Sequence, residues 1–107
     1  MTEQIWGALV DPHRRAVLDV LRQRDCSVGE LVDRLHLAQP QASKHLKVLR
    51  EAGLVTVKRD AQRRIYAIDP RPMAQLDAWL APYRTLWNAS LDRLGEHLDR
   101  TTPEEKR

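Results

Sequence analysis

The stretch Gln39–Val55, QPQASKHLKVLREAGLV, sets hydrogen-bonding and cationic side chains at spacings that could do chemistry on another molecule. Ala42, Leu46 and Leu49 recur at i, i+4 and i+7, one stripe of a 3.6-residue helix. The opposite side carries Lys44 and Lys47, flanked by Gln41 and Ser43, with Gln39 at its start. Amides, a hydroxyl and ammonium groups shown outward from a buried helix suit the base edges and phosphates of a DNA major groove. An ordinary amphipathic surface helix shows such a face too, so the surroundings must decide. His45 leans toward the apolar side, where packing or a phosphate contact competes with base reading.

A second cationic cluster follows at once. Arg59-Asp60-Ala61-Gln62-Arg63-Arg64 separates two segments rich in β-formers, Leu54–Lys58 and Ile65–Ile68. This reads as a β-hairpin with Arg59, Arg63 and Arg64 at its tip, able to reach phosphates or an adjacent minor groove. Without the glycine of a two-residue turn, a loop of about four to six residues is predicted.

The charge is distributed accordingly. The 107 residues carry a net +3. Residues 1–38 hold 5 Lys/Arg against 6 Asp/Glu, residues 39–68 hold 7 against 2, and residues 69–107 hold 6 against 7. The excess of +5 in the middle third is the footprint of a polyanion-binding surface; a skew serving solubility would be spread along the chain.

The elements that must position these groups can be traced along the chain. Thr2–Val10, with Ile5, Trp6 and Leu9, suggests a short helix. Asp11-Pro12 looks like a cap and first-turn proline for a helix to about Arg24, with Val17, Val20 and Leu21 inward. Ser27-Val28-Gly29-Glu30 fits a capping box starting a short helix that turns Val28, Leu31, Val32 and Leu35 inward. His36 and Leu37 make a tight connection to the basic helix, which Gly53 ends. Asp69-Pro70 opens a last helix whose apolar residues step by threes and fours to Leu98. Pro82 should kink or restart it near Leu80–Ala81, and the charged tail Thr101–Arg107 should fray.

The fold predicted is mainly α with a small β-hairpin wing (α+β), a winged helix-turn-helix in the order α-α-α-α-β-β-α. One domain spans 1–107, with the recognition helix at about 39–52, the wing at about 54–68 and a C-terminal dimerisation helix at about 70–98. At 42% apolar residues the composition is globular. No run reaches the roughly 18 apolar residues of a membrane span, and no signal pattern opens the chain. With the lone Cys26 precluding an intrachain disulfide, a cytoplasmic location is expected.

The run from Ala8 to Asp69 resembles the ArsR family of bacterial winged-helix transcriptional repressors. The residues that carry the resemblance are Asp11-Pro12 with Arg14-Arg15, Gly29-Glu30-Leu31, Gln39–Leu46 and Leu49–Val55. It implies a repressor that binds double-stranded DNA, with His45 at the family's recognition-helix histidine position. Arg14 and Arg15, at the start of the second helix, are candidate phosphate anchors.

Family members that sense metals use two cysteines at positions that here are Ser27 and Gly29, so the thiolate cluster soft metals select is missing. A second family site uses carboxylates and histidines of the last helix. This chain has Asp92, Glu96, His97 and Asp99 there, with one histidine, which at most permits weak binding across a dimer. The chain also resembles a metal-independent branch of that family, and no metal and no cofactor are expected. Cys26 reads as a packed small residue, and His13, His36 and His97 as structural.

In the resembling family the first and last helices form a dimer. Here Ile5, Trp6, Leu9, Trp79, Tyr83, Leu86, Trp87, Leu91 and Leu94 supply more aromatic and aliphatic surface than so small a core can enclose. A homodimer on an imperfect palindrome, with half-sites about 34 Å apart, is expected. The competing reading is an adaptor that uses the aromatic C-terminal helix to bind a protein partner and not DNA. An enzyme has the least support: no nucleophile–base pair, phosphate-cradling loop or metal-ligand cluster is evident.

Overall fold

The computed structural model describes the chain from Thr2 to Thr101, so the charged tail beyond Thr101 lies outside the described residues. Helix α1 (Thr2–Val10) leads into α2 (Pro12–Gln23) through Asp11. The Asp11 carboxylate accepts the His13 amide at 2.7 Å, and Pro12 occupies the first turn, where its missing N–H costs nothing. Helix α3 (Val28–Leu35) starts on the predicted capping box. The Glu30 amide donates to Ser27 Oγ at 3.2 Å and the Ser27 amide donates to Glu30 Oε1 at 3.0 Å. His36 ends α3 in the left-handed conformation (φ 56°), and His36, Leu37 and Ala38 turn the chain into α4 (Gln39–Glu51).

Helix α4 stops on a glycine motif. Gly53 sits at φ 79°, its amide donates to the Arg50 carbonyl, and the Leu54 amide donates to the Leu49 carbonyl, both at 2.9 Å. These two bonds satisfy end carbonyls that would otherwise be orphaned. A Cβ at Gly53 would meet Pro72 at an ordinary 3.7 Å, so the requirement for glycine is conformational, not steric crowding.

Strands β2 (Val55–Asp60) and β3 (Arg63–Ile68) form the wing. The sheet is larger than a hairpin: β1 (Cys26–Ser27) pairs with β3, giving the antiparallel order β1-β3-β2. Two residues are too few to show a period-two pattern, so this strand exists only through its partner. The predicted longer loop at the wing tip is also corrected. Asp60 pairs with Arg63, leaving Ala61 and Gln62 as a two-residue turn, with Ala61 carrying the positive φ (58°) normally left to glycine.

The chain divides into two compact units at Gln75 and Leu76, inside α5 (Arg71–Thr101). In the first, Val17, Cys26, Leu31, Leu46, Leu49 and Leu54 are almost wholly excluded from solvent. Truncating a leucine in such a core costs about 2–5 kcal/mol. In the second, α5 runs unbroken through Pro82, so the predicted restart does not form. Ala78 and Pro82 are both exposed, and water can take up the carbonyl that the proline leaves unpaired. Along this stretch Tyr83, Leu86, Trp87, Leu91 and Leu94 stay solvent-exposed, and Trp79 and Tyr83 lie with ring centroids 4.7 Å apart.

Candidate nucleic-acid interface

Helix α4 divides as its sequence pattern requires. Ala42, Leu46 and Leu49 are buried, while Gln39, Gln41, Ser43, Lys44 and Lys47 are exposed on the rest of its surface. Its N-terminus is left open: the cap residue is Ala38, and no side chain caps the helix. Helix geometry leaves the Gln39 and Gln41 amides without intrahelical acceptors, so partial positive charge accumulates beside the cationic stripe. An anion is the natural complement to that end.

The three wing arginines divide into different environments. Arg59 and Arg64 are register partners across β2 and β3, on the sheet face that deeper down carries Val57 and Tyr66. Two guanidinium groups directly opposite each other repel, a cost that a bound polyanion would relieve. Arg63 points to the other face, where its Nη2 lies 3.1 Å from Glu30 Oε1. Glu30 also receives Arg24 at 2.8 Å, and its carboxyl is held below the ordinary range chiefly by the Ser27 amide.

Arg14 and Arg15 have an internal task that sequence reasoning missed. Arg14 donates to the carbonyls of Ala8 (2.7 Å) and Gly7 (3.1 Å), and Arg15 to those of Leu9 (2.6 Å) and Val10 (3.0 Å). These four carbonyls are the last turn of α1, so the two guanidinium groups cap that helix and offset its negative end. This capping role stands beside the phosphate-anchor expectation: Arg14 bonds through Nε and Nη2, Arg15 through Nη1 alone. Ile5 likewise departs from its expected place: it is 2% exposed, packed in its own chain, and has no surface to offer a partner. Leu9 is half-buried and Trp6 exposed.

His45 lies on the inner flank of α4, as its wheel position suggested. Its ring stacks on that of His13 with centroids 5.8 Å apart, and its Nδ1 is buried without a hydrogen-bond partner. Burial lowers its pKa from the usual imidazole value, opposed by the nearby Asp11 carboxylate. Asp11, His13, Arg14, Gln41, Lys44 and His45 together line one concavity. Cys26 is fully buried, and that burial raises its thiol pKa, the opposite of what a reactive cysteine requires.

Residues 11–57 match the model of the arsR family of bacterial regulatory proteins. The chain is 35% identical over 97 residues to the helix-turn-helix transcriptional regulator Rv2034 of Mycobacterium tuberculosis, covering 91% of this chain and 88% of that one. It is 41% identical over 73 residues to the transcriptional repressor SmtB of the same organism, covering 68% of this chain and 54% of SmtB. Among solved structures, the ArsR family transcriptional regulator RHA00566 superposes with a TM-score of 0.70 at 35% identity, covering 80% of this chain and 94% of that one. These relatives are transcriptional regulators, not enzymes. With a helix-turn-helix, a β-hairpin wing and a relative similar over most of both chains, this protein belongs to the ArsR family of bacterial transcriptional regulators.

Proposed function

We propose that the protein is a homodimeric repressor that binds an imperfect palindrome in a promoter, in the cytoplasm and without a cofactor. The observation that carries this reading is the outward stripe of Gln41, Ser43, Lys44 and Lys47 on a helix whose other face is fixed in the core. Gln41 and Ser43 read base edges, with Gln39 at the open helix end; Lys44 and Lys47 take phosphates. Arg59 and Arg64 of the wing bind phosphates beside the recognition helix, with Arg63 partly committed to Glu30. The exposed aromatic and aliphatic residues of α5, from Trp79 to Leu94, are the surface that joins two copies, with Trp6 and Leu9 contributing.

The test is retention on duplex DNA selected from a random-sequence pool, measured against ionic strength. Neutralising about seven phosphates per dimer gives a log–log slope of about −6. A slope near zero, or no sequence selected, rejects the reading. The adaptor alternative makes that second prediction, so the same measurement separates the two.

A further inference from the structure

We propose that Asp11, His13 and His45 form a binding site for one divalent transition-metal ion of the zinc class, joining the start of α2 to the middle of α4. One ligand atom from each residue lies within 4.8 Å of the others. Within the group, Asp11 Oδ1 and His13 Nδ1 are 3.5 Å apart, close to the roughly 3.4 Å that two ligands about 2.1 Å from a tetrahedral zinc would show. The remaining adjustment falls to His13, the exposed side chain of the three. His45 supplies the independent observation. A buried ring nitrogen with no hydrogen-bond partner is an unmet polar group, and it belongs to a histidine already gathered with a carboxylate and a second imidazole.

The donor set selects the ion. Two imidazoles and a carboxylate suit zinc, nickel or cobalt; all-oxygen sets suit calcium and magnesium, and thiolates suit copper(I). Three protein ligands leave a fourth position for water. Two cations oppose the ion. Lys44 lines the same concavity, and Arg14 Nη1 lies 3.5 Å from Asp11 Oδ2, although Arg14 is also held by the Gly7 and Ala8 carbonyls. Their repulsion weakens the binding of a cation at this site. The site involves neither Ser27 and Gly29 nor His97, and it does not depend on the DNA reading.

The experiment is titration of the full chain with Zn²⁺ in competition with a chromophoric chelator, free of DNA. One equivalent should bind per chain. His13→Ala, a surface substitution that leaves the core intact, should weaken binding by about tenfold or more, and His45→Ala should do the same. His36→Ala and His97→Ala should leave the isotherm unchanged. With Co²⁺ in place of Zn²⁺, visible d–d absorption should appear in the wild type and be lost in His13→Ala. Absence of micromolar binding, binding indifferent to His13, or binding that disappears with His97→Ala overturns the proposal.

Discussion

Arg63 on the wing and Glu30 at the start of α3 are joined by a 3.1 Å ion pair, so the hairpin is tethered to the same carboxylate that completes the capping box. Glu30→Gln keeps an acceptor for the Ser27 amide but removes the charge that holds Arg24 and Arg63. The Glu30 carboxyl is depressed in the folded chain, so its stabilisation is fully present above the unfolded-state value and is lost as pH falls through the folded one. Thermal melts should therefore place Glu30→Gln below the wild type at pH 7 and low salt. The gap should narrow with added salt and close in acid. A gap independent of both would show that the ion pairs contribute nothing.

Ala61 holds a left-handed backbone that costs an L-residue with a Cβ more than it costs glycine. Ala61→Gly should stabilise the protein by about 0.5 kcal/mol, the relief of strain exceeding the added freedom of the unfolded chain. Urea denaturation measures this, and a lowered midpoint would mean the turn tolerates alanine without strain.

Arg64 faces Arg59 directly across the wing. Relieving that repulsion with Arg64→Gln should hold stability level or raise it by about 0.2–0.5 kcal/mol. The same change should reduce the salt slope of DNA binding by about 1 for each phosphate the wing no longer neutralises. If stability falls and binding does not change, Arg64 is structural and not part of the interface.

Ala38 leaves the N-terminus of α4 uncapped. An aspartate there would accept the free amides and stabilise the helix by about 1 kcal/mol. It would also set a negative charge at the helix end proposed to face DNA. Ala38→Asp should accordingly melt higher and bind DNA more weakly, two effects of opposite sign in one variant. Tighter DNA binding by this variant would place the helix end away from the phosphates.

Asp69 accepts the Arg71 amide and is gripped by its guanidinium at 2.7 Å, which holds its carboxyl down to about 2. It thereby fastens the end of β3 to the first turn of α5. A depressed carboxylate stabilises in full above the unfolded-state value and loses that effect progressively as pH falls from there through about 2. Asp69→Asn should melt below the wild type at neutral pH, with the difference shrinking from about pH 4 and disappearing below about pH 2. Titration of the Asp69 carboxyl by NMR at an ordinary carboxylate value would refute the arrangement.

Local chemistry along the chain was sufficient for much of this protein. The capping box at Ser27 and Glu30, the Asp11-Pro12 start of α2, the Gly53 stop and the two faces of α4 depend on neighbours within one or two turns, and all appear where the residue order places them. Other features needed the fold, because they join residues that are distant in sequence or depend on the space around one. Cys26-Ser27 becomes a strand only beside β3. Arg14 and Arg15 become helix caps only when α2 turns back on α1, and Arg63 meets Glu30 only when the hairpin reaches α3. The gathering of Asp11, His13 and His45 has the same origin: no spacing within one helix could bring the start of α2 and the middle of α4 onto a common point. Periodicity and caps are short-range properties of a backbone, whereas the partners of a long polar side chain are chosen by whatever packing brings within its reach.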